Sequence, residues 1–485
     1  MSAIRRKFYI TTSIAYTNDV PHLGFVLEST QADVLTRYHR ILGDDVFFLT
    51  GVDEHGIKIA KKAKQTNKEP KEFVDEISNR YKELKKVFNF SNDDFIRTTD
   101  KKKHWPSVQK VWLKLKNNND IYKKKYKGLY CVGCEAFVLE KDLIDGKCPV
   151  HNRKPEIVEE ENYFFKLSKY SEKLKNLIEK DKVKIIPKTR KNEMLSLIKQ
   201  GLLDVSFSRT RTRLEWGIEV PNDSTQTIYV WADALVNYIS ALGYEKDSQK
   251  FKKYWPADIH CVGKDILRFH ALIWPAMLLA LGLKLPKKIL VHGFINVDNK
   301  KMSKSLGNVI DPFKLAEKYG IDPVRYYLLR EILPTEDGDF TYEKFEARYN
   351  ADLASGLGNL VARVITMASK IKNQKLVSGV KNQIKGQRLV DKEIKTTWKN
   401  YKKALDNFKF NEALIEIWKL ISFCDKYIEE QRPWEDTENK LLVINDLLFA
   451  LNNISQMLEP FLPETSEKII QQIKNKKSKV LFPRI

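Results

Sequence analysis

A chain of 485 residues is longer than one ordinary hydrophobic core, so two or three packed units are expected. Apolar residues make up 42% of it and aromatics 11%, enough for dense cores, yet no run of about 18 uncharged apolar residues offers a membrane span, and no membrane partner is expected. Lys and Arg total 85 against 63 acidic residues, a net charge of +22 that favours polyanions, nucleic acid first among them, although a lysine-rich composition bias would leave the same excess.

Five cysteines occur, at 131, 134, 148, 261 and 424. An odd number with three crowded into one segment argues for metal binding in a reducing compartment rather than a disulfide framework, and the cytoplasm is the expected location. The N-terminal pair Arg5-Arg6 resembles a twin-arginine signal, but Thr11, Thr12, Ser13, Asn18 and Asp19 interrupt any apolar stretch after it, so no export signal is expected.

Along the chain, Phe8 to Ala15 reads as a buried strand, followed by a helical pattern through Leu27, Val34, Leu35, Tyr38 and Leu42, with Gly43 placed as the residue beyond the helix. Val46 to Thr50 forms the next strand and runs into Gly51-Val52-Asp53-Glu54-His55-Gly56, which makes a βαβ unit. From about 116 to 185 a Lys- and Tyr-rich, cysteine-bearing segment interrupts this rhythm and reads as an insertion. Thr227–Trp231, Ile259–Gly263 and Ile289–Val291 are expected as three more strands of the same doubly wound parallel sheet, in which ligands lie outside the carboxyl ends of the strands. After about residue 350 apolar positions recur at helical spacing, as in Ala413, Leu414, Ile417, Leu420 and Ile421, and a helix bundle is expected. The short runs Lys101–Lys103 and Lys123–Lys125 read as solvated faces.

Chemistry is most legible in Lys300-Lys301-Met302-Ser303-Lys304-Ser305-Leu306-Gly307-Asn308. Lys301 and Lys304 sit three apart on a small-residue loop, an arrangement that suits a leaving pyrophosphate, whose charge is stabilised electrostatically rather than by covalent help. Pro21-His22-Leu23-Gly24 opens a helix. Gly24 there lets a nucleoside approach the backbone while the helix N-terminus and His22 face phosphate. Cys131-Val132-Gly133-Cys134 and Cys148-Pro149-Val150-His151 are two knuckles 13 residues apart, and four soft ligands at this spacing indicate one tetrahedral, structural zinc.

Lys301-Met302-Ser303-Lys304-Ser305 matches the KMSKS loop of class I aminoacyl-tRNA synthetases, and Pro21–Gly24 resembles their HIGH motif. From about residue 7 to 470 the chain resembles the methionyl-tRNA synthetases. Phe25 departs from the pattern, because the family usually has His or Asn at that position, and Phe25 is left out of the catalytic set for that reason. The resemblance implies His22, Gly24, Lys301 and Lys304 as catalytic residues, with Gly263, Asp265 and Ser303 joining them around ATP and its Mg²⁺. It implies Ile14, Tyr16, Trp231, Ala234, Tyr238, Ile266 and His270 around the methionine side chain, where a polarisable thioether suits aromatic walls. Asp53 would hold the ammonium group. Asn359, Arg363 and Trp434 would read the CAU anticodon, with Trp434 stacking on an unpaired base. By their local sequence alone, Trp231 and Tyr238 fit plain core, Asp53 fits a turn or cap, and Asn359, Arg363 and Trp434 fit ordinary bundle positions.

The expected architecture is α/β: a Rossmann-like catalytic domain with a doubly wound parallel sheet in two halves, 1–115 and 186–295, split by a zinc-binding connective insertion at 116–185. A KMSKS-loop linking region follows at 296–349, then an α-helical anticodon-binding domain at 350–485. The implied partners are L-methionine, ATP and tRNA(Met), both initiator and elongator. The isoleucine, valine and leucine enzymes carry a large editing insertion, for which about 70 residues is too small. The cysteine enzyme shares the short insertion but places zinc in its amino-acid pocket. From other classes, an RNA-independent nucleotidyltransferase and a catalytically dead RNA-binding relative stay open. A monomer is expected, because the chain ends before the oligonucleotide-binding fold that makes some family members dimers.

Overall fold

The computed structural model describes residues 5–485 except 134, 135, 139, 150, 151, 303–306, 372–384 and 436–438, with the backbone alone at 136, 137, 141 and 385–388. The chain forms two compact units, one made of Met1–Val20, Asp44–Glu83 and Asn92–Val291, the other of Pro21–Gly43, Leu84–Ser91 and His292–Ile485.

In the first unit the central sheet contains β1 (Lys7–Tyr16), β2 (Asp45–Asp53) and β3 (Asp94–Arg97). β1 and β2 are buried over much of their length, as strands covered on both faces must be, which is why they read as nearly continuous apolar runs. The insertion adds β4 (Ile121–Cys131), β5 (Ala136–Val138) and β6 (Glu156–Phe165). After it come β7 (Lys184–Ile186), β8 (Val205–Ser206), β9 (Ser208–Thr210), β10 (Glu219–Val220) and β11 (Asp223–Ile228), then β12 (Ile259–Gly263) and β13 (Lys288–His292). The central sheet has the order β3-β2-β1-β12-β13-β7, and β1 pairs in parallel with both β2 and β12. Successive strands therefore leave β1 in opposite directions, and the point where they part, between β1 and β12, is the topological switch of a doubly wound sheet.

One expected strand is not where the sequence pointed. Asp223–Ile228 pairs antiparallel with β9 and β10 in a separate three-stranded sheet, and Val230–Ala234 is a short helix, so Thr227–Trp231 does not join the parallel sheet. Its apolar run fits a buried helical turn as well as a strand, and periodicity cannot separate the two over so few residues. The four-stranded sheet β5-β4-β6-β8 lies on both sides of β7 in sequence, while β7 itself pairs with β13. The lysine run on β4 is less free than its composition suggests. Lys125 faces Glu161 and Lys127 faces Glu159 across the ladder, and Lys123 is 3.6 Å from Glu161 and 3.1 Å from Asp223.

The second unit opens with α1 (Leu23–Ile41), which ends at Gly43 in the left-handed conformation with φ of 83°. It continues with the hairpin β14 (Ile295–Val297) and β15 (Lys300–Lys301), closed by a two-residue turn in which Asp298 and Asn299 both have positive φ. β16 (Gly338–Phe340) pairs with β14. Beyond it the regular elements among the described residues are helices, with long amphipathic ones at Phe410–Gln431, Lys440–Leu458 and Pro463–Asn475. Lys440–Leu458 is long and apolar enough to cross a bilayer by composition, but most of it is buried by its neighbours and it carries Asp446. Arg325 is fully buried and ties the unit together: its guanidinium donates to Asp33 of α1 at 2.8 Å and to the carbonyls of Phe88, Pro460 and Phe461. Burial would raise the Asp33 carboxyl, but Arg325 and Arg37 hold it below the usual carboxylate range.

Candidate active site

In the first unit the carboxyl ends of β1, β2 and β12 gather the residues that the sequence marked. Ile14 lies opposite Gly51 and Tyr16 opposite Asp53 in the parallel register of β1 and β2. Asp53 is buried, and its carbonyl accepts from both the backbone N–H and the hydroxyl of Thr17, which fixes the turn that follows β1. β12 ends at Gly263, and the chain then turns through Lys264–Ile266, where Asp265 is exposed, into the segment Phe269–Ala280 that carries His270.

An aromatic wall stands beside these strand ends. Trp231 stacks on Phe269 with centroids 3.8 Å apart and planes 7° from parallel, and meets His270 edge-on at 6.4 Å. Tyr238 is buried, and its hydroxyl lies 2.7 Å from Nε2 of His270. Behind Tyr238 its ring rests 4.3 Å from His260, whose Nδ1 is 2.7 Å from the Thr11 hydroxyl. Burial, helped by the neighbouring His270, pushes the His260 imidazole well below its ordinary range, so this ring is neutral at physiological pH. Ile14, Trp231 and Ile266 are only partly buried where they pack on the core, and Ala234 is buried. The arrangement suits a small apolar side chain beside rings, with one oriented tyrosine–histidine pair for polarity.

In the second unit His22 is the cap of α1. Its Nδ1 accepts from the Gly24 N–H at 3.1 Å, which leaves the ring proton on Nε2 as a donor. A Cβ on Gly24 would stand 2.9 Å from Cε1 of His22, so a larger residue there would displace this ring. Glu28, one turn further along α1, is 2.8 Å from Nε2 of His292, nine residues before Lys301. Lys301 lies on the hairpin strand with its ammonium 5.0 Å from the Phe294 ring, and the Asn308 side chain donates to the Lys301 carbonyl at 3.3 Å. Lys301 and Asn308, on either side of the lysine loop, are thus joined to each other. Ser303 and Lys304 lie outside the described residues.

The family model described as tRNA synthetases class I (M) matches residues 8–154 and 138–365, and the anticodon-binding domain of tRNA ligase matches 387–484. The methionine-tRNA ligase of Caldanaerobacter subterraneus subsp. tengcongensis is 44% identical over 514 residues, covering 99% of this chain and 79% of that protein. That of Thermotoga maritima is 44% identical over 96% of this chain and 75% of its own length. The chain belongs to the class I methionyl-tRNA synthetases. A solved structure agrees: Mycobacterium tuberculosis methionyl-tRNA synthetase in complex with methionyl-adenylate has a TM-score of 0.90 at 34% identity, over 99% of this chain and 98% of that one.

In this methionyl-tRNA synthetase the match divides into a class I synthetase part and an anticodon-binding part. Asn359 and Arg363 fall at the end of the first and Trp434 in the second. Asn359 begins the helix Asn359–Ser369, and the Arg363 guanidinium is held by Glu429 at 2.5 Å and Asp425 at 3.4 Å on the helix Phe410–Gln431. Trp434, in the turn after that helix, is 50% exposed, far more than a packing tryptophan would be. Of the four residues expected as zinc ligands, Cys131 ends β4 opposite Ala136 and Cys148 opens a tight turn in which its carbonyl accepts from Asn152; both are buried. Cys134 and His151 lie outside the described residues.

Sequence reasoning missed a buried cluster. Asp233, on the short helix that carries Trp231 and Ala234, is 2.7 Å from Nδ1 of His55 and 2.7 Å from Nε2 of His104. Burial would raise the Asp233 carboxyl, but the two imidazoles outweigh it and hold the group below the usual range. Three segments far apart in the chain meet there, and the available signal was weak: a lone acid inside the apolar run Val230–Ala234 and a histidine just before Trp105-Pro106.

Proposed function

We propose that the chain activates L-methionine with ATP to methionyl-adenylate and transfers the methionyl group to the 3′-terminal adenosine of tRNA(Met). The observation that carries this reading is the aromatic wall of Trp231, Tyr238 and His270 beside the switch point of the sheet, in a chain whose 44% identical relatives are methionine-tRNA ligases. The methionine carboxylate attacks the α-phosphate of ATP and pyrophosphate leaves; a ribose hydroxyl of the tRNA then attacks the carbonyl carbon of the adenylate, forming the ester as the anhydride bond breaks and AMP leaves with loss of the hydroxyl proton. Positioning and charge stabilisation supply the rate, with no side-chain nucleophile.

In this reading Asp53 holds the ammonium group, and Ile14, Tyr16, Trp231, Ala234, Tyr238, Ile266 and His270 enclose the side chain. The buried carboxylate of Asp53, opposite Tyr16, supports that assignment. Gly24, Gly263 and Asp265 receive the nucleoside. Lys301 and Lys304 neutralise the phosphates of the Mg²⁺–ATP substrate, to which His22 through its Nε2–H and Ser303 through its hydroxyl donate hydrogen bonds. Asn359, Arg363 and Trp434 read the anticodon of initiator and elongator tRNA alike, a role supported by the exposure of Trp434.

The residues of the insertion fit one structural zinc. Cys131 and Cys148 place buried sulfur at a strand end and at a tight turn, and Cys134 and His151 complete the four-ligand spacing. Bound zinc would hold the two knuckles of this lobe together. Thiolate ligands also suit the reducing cytoplasm as the working compartment. Aminoacylation of tRNA(Met) transcripts with a wild-type and a CAU-altered anticodon tests the whole reading. Charging of the first, with loss on the second and with Trp434→Ala while adenylate formation persists, is the expected result; charging indifferent to the anticodon would refute it.

A further inference from the structure

We propose that Asp233 is a positioning residue that fixes the span of the amino-acid pocket, linking the loop that carries Asp53 to the helix that carries Trp231 and Ala234. The proposal rests on the methionine reading above. Asp233 has both carboxylate oxygens engaged, Oδ2 by Nδ1 of His55 and Oδ1 by Nε2 of His104, each at 2.7 Å, and it is 1% exposed.

Each side of this clasp needs it. Val230–Ala234 spans only five residues, too few for a helix that holds itself, so tertiary contacts must set its position. His55 stands two residues beyond Asp53, and the residue between them is already locked: Glu54 accepts from Arg97 at 2.8 Å and from the Ser78 and Thr99 hydroxyls. Trp216 closes the same loop by donating from its indole to the Glu54 carbonyl and accepting the Gly56 N–H. The segment after Asp53 is therefore held on both sides of His55, and His55 to Asp233 links it to the pocket helix.

Proton counting gives the clasp a testable character. A carboxylate only accepts, so His55 carries its proton on Nδ1 and His104 on Nε2. Nδ1 of His104 lies 2.8 Å from the Ser240 hydroxyl, which also reaches the Asn237 carbonyl at 3.3 Å. The Asp233 carboxylate thus meets both imidazoles. An asparagine at 233 can do so as well, with its oxygen taking the His55 N–H and its amide donating to Nε2 of His104, provided His104 moves its proton to Nδ1 and donates to Ser240. That rescue fails when Ser240 is also removed.

The experiment measures pyrophosphate exchange into ATP with methionine or ATP varied, corrected for active-site concentration, in the full chain. Asp233→Ala should raise KM for methionine by about tenfold or more, the consequence of leaving two buried donors unmet, while KM for ATP stays within about twofold. Asp233→Asn should stay within about threefold of wild type, and Asp233→Asn with Ser240→Ala should return to the alanine level. If Asp233→Ala does not fold, the last two variants carry the test alone. An unchanged methionine KM, a fall in kcat alone, both KM values rising together, or a double variant no worse than Asp233→Asn would overturn the proposal. Absence of methionine-dependent exchange in the wild-type chain would overturn the reading beneath it instead.

Discussion

The hydroxyl of Tyr238 lies 2.7 Å from Nε2 of His270, while Nδ1 of the same ring is 3.0 Å from the Ile266 carbonyl. A carbonyl cannot donate, so Nδ1 carries the ring proton and Nε2 accepts from Tyr238. The pair is thereby oriented before any substrate arrives, which is what selection of one small apolar side chain requires. Tyr238→Phe removes the donor and strands a buried nitrogen. The expected outcome is a rise in KM for methionine of about three- to tenfold with kcat nearly kept, read by pyrophosphate exchange.

Phe25 occupies the first turn of α1, with its N–H directed to the His22 carbonyl at 3.1 Å. Its ring offers no hydrogen bond where the family usually has His or Asn. Phe25→His should raise kcat/KM for ATP by about three- to tenfold, the worth of one such bond, and leave KM for methionine unaltered. A fall in kcat/KM for ATP would show that the phenyl ring has been built into this nucleotide site.

The parallel sheet and the helical C-terminal region were legible because each rests on a local pattern: buried strands at Phe8 and Val46, and helical spacing around Ala413. Lys301, His22 and Gly24 were legible because a motif is contiguous. Thr227–Trp231 was misread since a five-residue apolar run fits a strand and a buried turn equally. Lys123–Lys125 carried no sign of Glu159–Glu161, because a cross-strand partner is set by register and not by neighbours in sequence. The His55, His104 and Asp233 cluster was invisible for the same reason on a larger scale, with up to 178 positions between its members.

Burial of Cys131 and Cys148 sets up a metal test. The purified chain should carry one zinc by elemental analysis, and Cys148→Ser should lose most of it while the parallel sheet stays folded. The insertion should then become sensitive to limited proteolysis. A chain that is active and protease-resistant with no zinc would contradict this.

Asp446, on Lys440–Leu458, has its carboxyl pushed up to about 6, chiefly by burial, although it accepts from the Tyr427 hydroxyl at 3.2 Å. A raised acid binds its proton more tightly in the folded state. The helical unit should therefore lose stability as pH rises from about 4, the unfolded value, to about 6, with the cost in full force above that. Asp446→Asn removes the cost and should stabilise the chain by about 1 to 2 kcal/mol at pH 8, after allowance for solvent screening, with little gain at pH 4. Thermal unfolding at the two pH values measures the difference.

The most direct test of the central claim is exchange of labelled pyrophosphate into ATP, run with each of the twenty amino acids and repeated with Lys304→Ala. Exchange that depends on methionine alone and falls by about a hundredfold or more in the variant is the predicted result, since both the side-chain pocket and the lysine loop are then at work. Exchange with another amino acid, or none from folded protein, would contradict the account.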